Sequence, residues 1–136
     1  MIVLDCSVAL AWLFEDEQTA GSLTALDELQ NSGALVPQHF LLEIANVLWV
    51  AERRDRITQA DAGRFLDLVC DLPIAIDNET LDYLQASTIP LARRCRLSPD
   101  DAAYVELAGR RGLPILTGDE AMIRAAVAEG VPVIRG

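Results

Sequence analysis

The sequence predicts an α/β protein: a doubly wound α/β/α sandwich with a mostly parallel five-stranded sheet. Three observations support this. Short apolar runs (Ile2-Val3-Leu4, Ala34-Leu35-Val36, Ile74-Ala75-Ile76, Ile115-Leu116 and Val131 to Ile134) read as buried strands. They alternate with helical stretches, which implies a parallel sheet covered on both faces and wound by right-handed crossovers. The 136 residues, 51% hydrophobic and 24% charged, suffice for one domain with a real core and are too few for two, so residues 1–136 read as a single domain.

The elements follow in order. Ile2-Val3-Leu4 stops on the carboxylate of Asp5. Ser7 is placed to cap a short helix over 8–14 that turns Trp12 and Leu13 inward. Glu15-Asp16-Glu17 marks an exposed turn, and 19–30 reads as a helix stopped near Asn31-Ser32-Gly33. After Ala34-Leu35-Val36 and Pro37, residues 38–53 form the clearest amphipathic helix, with Phe40, Ile44, Val47 and Ala51 at spacings of three and four. Thr58-x-x-Asp61 resembles a capping box opening a helix over 58–71. These two helices make a hairpin with exposed apolar positions to spare, including Trp49, Val50 and Leu68, which suit either core packing or a dimer or partner surface. Ile74-Ala75-Ile76 again ends in an acid, Asp77, and 79–95 reads as helical. Ser98-Pro99-Asp100-Asp101 starts a helix over 98–111, with Ser as N-cap, Pro in the first turn and acids at the positive end of the dipole. Ile115-Leu116 is followed by Thr117-Gly118-Asp119-Glu120, which opens a helix to Glu129, and a fifth strand closes the chain.

Composition narrows the function classes. No apolar run is long enough to span a membrane, and the N-terminus lacks the basic-then-apolar pattern of a secretion signal. Cys6, Cys70 and Cys95 are odd in number and lack C-x-x-C spacing, which points to a reducing, cytoplasmic setting and away from zinc or a disulfide framework. The net charge of -10 disfavours nucleic-acid binding by itself, since phosphate contacts need cations. All 11 basic residues are Arg, however, and several cluster: Arg53-Arg54 with Arg56, Arg93-Arg94 with Arg96, and Arg110-Arg111. Arg forks onto phosphate or carboxylate with two hydrogen bonds. A strongly acidic chain also suits a basic partner or metal ions.

Four acids stand out: Asp5, Glu43, Asp101 and Asp119. Asp5 ends the first strand, at the edge where open parallel sheets bind ligands. Glu43 lies three after Phe40 and four before Val47, on the apolar side of its helix, where an unpaired carboxylate is costly. Asn46, one turn on, could steady it. Asp101 lies in the first turn of its helix and Asp119 just past the fourth strand. Asp5, Glu43 and Asp119 share the carboxyl edge of the sheet, and Asp101 joins them if its helix starts there. Local roles compete: Asp101 with Ser98, or Glu120 with Thr117, would complete a capping box, and Glu43 would pair with an Arg. Clustered carboxylates repel unless a positive group sits between them. Oxygen-only ligands select hard cations, Mg²⁺ or Mn²⁺. The single His39 is not needed as a ligand.

Four segments in order, Met1 to Ser7, Pro37 to Leu48, Leu97 to Ala108 and Ile115 to Glu120, together resemble the PIN domain, and within it the VapC-type toxins of bacterial toxin–antitoxin pairs. The resemblance runs in register over nearly the whole chain. It implies the same doubly wound sandwich and an acidic set of Asp5, Glu43, Asp101 and Asp119, with Thr117 as a supporting hydroxyl and Ser7 beside the first acid. It selects Asp101 over Asp100, leaving Asp100 a capping or outer role. It implies a Mg²⁺- or Mn²⁺-dependent endoribonuclease, with metal at Asp5 and Asp101, and with Glu43 and Asp119 orienting water or holding a second ion. It also implies a VapB-like antitoxin partner whose Arg enters the acidic pocket, an RNA substrate and a homodimer. The chain departs from an RNA-binding pattern in lacking a broad basic surface.

Two other readings compete with the nuclease. A catalytically silent PIN-like interaction scaffold would keep the fold and act through protein contacts; four intact acids argue against it. A phosphorylatable receiver-like domain is also acidic and doubly wound, but it requires a late Lys, and this chain has no Lys.

Overall fold

The computed structural model describes residues 1–136, the side chain of Glu15 apart. Five parallel strands form one sheet: β1 (Ile2–Leu4), β2 (Ala34–Val36), β3 (Ile74–Ile76), β4 (Ile115–Thr117) and β5 (Val133–Arg135), in the order β3-β2-β1-β4-β5. The inner strands β1, β2 and β4 are buried on both faces, and this is why they read as unbroken apolar runs. The edge strands β3 and β5 are partly exposed.

Seven α-helices cover the sheet: α1 (Cys6–Leu13), α2 (Ala20–Ser32), α3 (Phe40–Arg53), α4 (Gln59–Asp71), α5 (Ile89–Cys95), α6 (Pro99–Arg111) and α7 (Glu120–Ala128). The strand order proceeds from β1 to β2 and β3 in one direction, then to β4 and β5 in the other. Right-handed crossovers therefore place α1–α4 on one face and α5–α7 on the opposite face. The packing follows: α1 lies on α2 and α3, and α3 on α4, whereas α6 lies on α5 and α7. Val3, Leu4, Phe40, Ile44, Leu48, Tyr104, Leu107 and Leu116, all essentially buried, join both layers to the sheet.

Local chemistry sets most boundaries. Thr19 with Ser22 and Thr58 with Asp61 form reciprocal capping boxes at the starts of α2 and α4. The first helix differs from expectation. Its N-cap is Asp5, whose carboxylate accepts the Ser7 N–H, so α1 begins two residues early and Ser7 lies inside its first turn. Trp12 is half-buried and donates its indole N–H to the Ser22 carbonyl. The acidic turn after α1 is a short 3-10 segment, Glu15–Glu17, with Asp16 and Glu17 exposed; the Glu15 side chain lies outside the described residues.

The expected helix over 79–95 is broken. Asp77 closes a turn by accepting from Thr80 Oγ1 and the Glu79 N–H, and a π-turn over Leu84–Thr88 precedes α5. Pro90 has no N–H to give to an α-helical ladder, so the chain takes up an extra residue before it can continue. On the hairpin of α3 and α4, Trp49 and Leu68 are more than half exposed, while Val50 is half-buried, against expectation. No helix is long and apolar enough to cross a membrane among the described residues. All three cysteines are free.

Candidate metal centre at the carboxyl edge of the sheet

Two chain directions diverge between β1 and β4, and ligands of open parallel sheets bind outside such a switch point. Asp5 lies there, 4% exposed. Its Oδ2 accepts from Ser7 Oγ (2.7 Å) and from Thr117 Oγ1 (2.8 Å). The buried Thr117 hydroxyl in turn accepts the Asp119 N–H at 3.1 Å. One hydroxyl thus ties the end of β1 to the end of β4. Asp119 also N-caps α7, accepting the Met122 N–H at 2.9 Å. The cap is therefore Asp119, and not the box that Thr117 and Glu120 would form.

Glu43 approaches from the first turn of α3. No Arg pairs with it among the described residues. Instead Tyr104, fully buried on α6, donates its hydroxyl to Glu43 Oε1 at 2.7 Å. Burial, together with neighbouring acids, pushes the Tyr104 phenol far up, so it stays protonated and can only donate here. His39, just ahead of α3, places Nε2 3.4 Å from the same Glu43 oxygen, with its ring edge-on to Tyr104. Asn46 is exposed in a pocket with Phe14, Val47 and Val50 and makes no hydrogen bond to Glu43 among the described residues.

The helix α6 does start at this edge. It ends at Arg111, four residues before β4 begins, so it runs back along the sheet and its first turn lies at the carboxyl rim. Ser98 makes no side-chain cap there. One carboxylate oxygen from each of Glu43, Asp100 and Asp101 lies within 4.8 Å of the others. This donor set includes Asp100, which sequence reasoning had set aside.

The electrostatics show that the acids are neighbours. Burial raises the Asp5 carboxyl above the ordinary Asp range against its hydroxyl donors, with the Asp119 charge adding to the rise. Burial raises Asp101 too, helped by the charges of Asp100, Asp5 and Asp119. Glu43 is raised by burial, with Tyr104 and His39 pulling the other way and Asp100 and Asp5 adding to the rise. Cys6, beside Asp5, is held as a neutral thiol by burial and by the Glu43 and Asp5 charges. Crowded, partly desolvated carboxylates of this kind are stabilised by a cation among them. Their oxygen-only chemistry fits a hard divalent ion.

Sequence reasoning missed Tyr104, His39 and Asp100. Tyr104 lies one turn after Asp101, and His39 one turn before Glu43. That spacing puts each on the same helical face as an acid and was the available signal.

Comparisons with known proteins address the family and the fold. The chain is 30% identical over 124 residues to Ribonuclease VapC3 of Mycobacterium tuberculosis, in two strains, covering 91% of this chain and 86% of the relative. Its fold is similar to the crystal structure of PAE2754 from Pyrobaculum aerophilum, with a TM-score of 0.70 and 20% identity over 98% of this chain and 83% of that one. Residues 2–128 match the PIN domain family. With that match over nearly its whole length and a VapC relative aligned along most of both chains, the protein belongs to the PIN domain family as a VapC-type member.

Proposed function

We propose that this chain is a Mg²⁺- or Mn²⁺-dependent endoribonuclease and the toxin of a toxin–antitoxin pair. The observation that carries this reading is the convergence of Asp5, Glu43, Asp100, Asp101 and Asp119 on the carboxyl edge of the sheet, three of them with oxygens within 4.8 Å of one another. Similarity to a VapC ribonuclease supports the substrate class. Asp5 and Asp101 would hold the ion, with Glu43 or Asp100 completing its oxygen set. When bound, the ion would lower the pKa of water and offset charge on the phosphate. The chain's own residues do the positioning. Ser7 and Thr117 hold the Asp5 carboxylate and Tyr104 holds Glu43, while Glu43 and Asp119 would orient the attacking water or hold a second ion. Occupancy by a cation would also relieve the repulsion that an acidic pocket offers to RNA.

Substrate grip would fall to Arg side chains outside ion pairs. Among the described residues Arg53, Arg54, Arg93, Arg96, Arg111 and Arg124 are in none, whereas Arg56, Arg64, Arg94, Arg110 and Arg135 are committed to acids. The antitoxin, VapB-like, would insert an Arg into the acidic pocket as a fork onto its carboxylates. The exposed Leu42, Trp49 and Leu68 support a protein-covered face on α3 and α4, as a homodimer requires.

The test is cleavage of RNA by purified protein with Mg²⁺ or Mn²⁺, with EDTA, and with Asp5→Asn. Cleavage that needs the ion and is lost in the variant is expected. Equal cleavage by both proteins removes the nuclease reading in favour of an interaction scaffold. For the partner, copurification with the product of an adjacent small gene is expected; no complex on gel filtration would count against it.

A further inference from the structure

The donors Glu43 and Asp100 come from helices on opposite faces of the sheet. Among the described residues α3 and α6 share little direct packing, so beyond the sheet that anchors both, it is side-chain bonds across the rim that tie their first turns together. Two such bonds exist. One is Tyr104 to Glu43. The other is His39 Nε2 to the Asp100 carbonyl, 3.0 Å across 61 residues of sequence. His39 Nε2 faces two acceptors, the Asp100 carbonyl and Glu43 Oε1 at 3.4 Å. The hydrogen is therefore on Nε2, and the ring donates. The Asp100 carbonyl has a second lone pair for its own helix, so the contact costs α6 nothing. The edge-on Tyr104 ring, 5.5 Å away, fixes the imidazole plane.

We propose that His39 is a positioning residue, a latch between α3 and α6 that sets the separation of Glu43 from Asp100 and Asp101 and thereby the affinity of the centre for its divalent ion. This rests on the metal-centre reading above. Groups that orient metal-ligating carboxylates typically change affinity about 10- to 100-fold when removed. His39→Ala removes the donor. His39→Gln places an amide N–H at a similar reach.

The experiment is Mn²⁺ titration of the full-length protein, followed by electron paramagnetic resonance, on wild type, His39→Ala, His39→Gln and Asp101→Asn. Melting in EDTA confirms that each is folded. The expected result is about tenfold weaker Mn²⁺ binding in His39→Ala, with His39→Gln restored to within about threefold of wild type, as the loss of one orienting bond implies. Wild-type affinity in His39→Ala overturns the latch, and so does failure of His39→Gln to recover. Wild-type affinity in Asp101→Asn as well shows that the metal centre itself was misplaced, and the latch falls with it. Loss in Asp101→Asn but not in His39→Ala overturns the latch alone.

Discussion

Thr117→Val tests the tie between β1 and β4. Thr117 is fully buried and its hydroxyl donates to the buried Asp5 carboxylate while accepting the Asp119 N–H. Valine keeps the shape and removes both bonds. A hydrogen bond to a charged, buried acceptor contributes about 1.5–3 kcal/mol. Ser7 Oγ still donates to the same oxygen, which places the expected loss at the lower end, about 1.5–2 kcal/mol. That is roughly a 10- to 30-fold shift in the folding equilibrium. Urea denaturation in EDTA near neutral pH measures it. Thr117→Ser is the control, since it keeps both bonds and loses one methyl, about 0.8 kcal/mol. The Thr117 donor favours the ionised carboxylate, so its removal raises the Asp5 carboxyl further, and the penalty should shrink as pH falls through the folded pKa of the variant and then that of the wild type, both above 3.8. A loss under about 0.5 kcal/mol near neutral pH, or one that does not fall with acidification, would refute the assignment of this bond.

Two further outcomes are expected. Asp5, Glu43 and Asp101 all have raised folded pKa values, so the folded metal-free chain binds protons more tightly than the unfolded chain. Their stability contribution is full below the unfolded values, 3.8 for Asp and 4.5 for Glu, and is lost as pH rises through the raised values. EDTA-treated protein should melt higher at about pH 5 than at about pH 8, and Mg²⁺ should narrow that gap; a melting temperature rising with pH in EDTA would contradict it. Arg110 is 14% exposed at its side chain and bonds two buried acids, Asp77 and Glu106, with its guanidinium over the Tyr83 ring. Arg110→Met leaves both carboxylates unpaired and should cost about 3–5 kcal/mol by denaturant titration. Asp77→Asn in the same background should recover part of it. The Asp77 carboxyl is held below 3.8 because its bonds to Arg110 and Thr80 outweigh burial, so its own contribution is lost as pH falls below 3.8.

Local signals in the chain were enough for the strands, the capping box at Thr58 and the long amphipathic helix, because each depends on residues within a turn or two. They also sufficed to single out Asp5, Glu43, Asp101 and Asp119, since an acid at a strand end or on an apolar helix face is visible at short range. The same signals misassigned the cap of α1, where Ser7 and Asp5 are both suitable residues and it is the extended Asp5 whose carboxylate accepts the Ser7 N–H. They missed the break before α5, where Pro90 denies a bond to a residue four positions back.

What the sequence by itself determined was the alphabet of the candidate site: carboxylates, no Lys, and short buried strands delivering acids to one edge. Only the tertiary structure decided which acids meet and what holds them. Tyr104 finds Glu43, and His39 finds Asp100, across 61 residues each. Those pairings follow from the reversal of winding direction after β3, which carries α6 to the other face of the sheet and brings its first turn back over the rim. Periodicity cannot encode such a meeting, because it is set by the path of the whole chain and by no neighbouring residue.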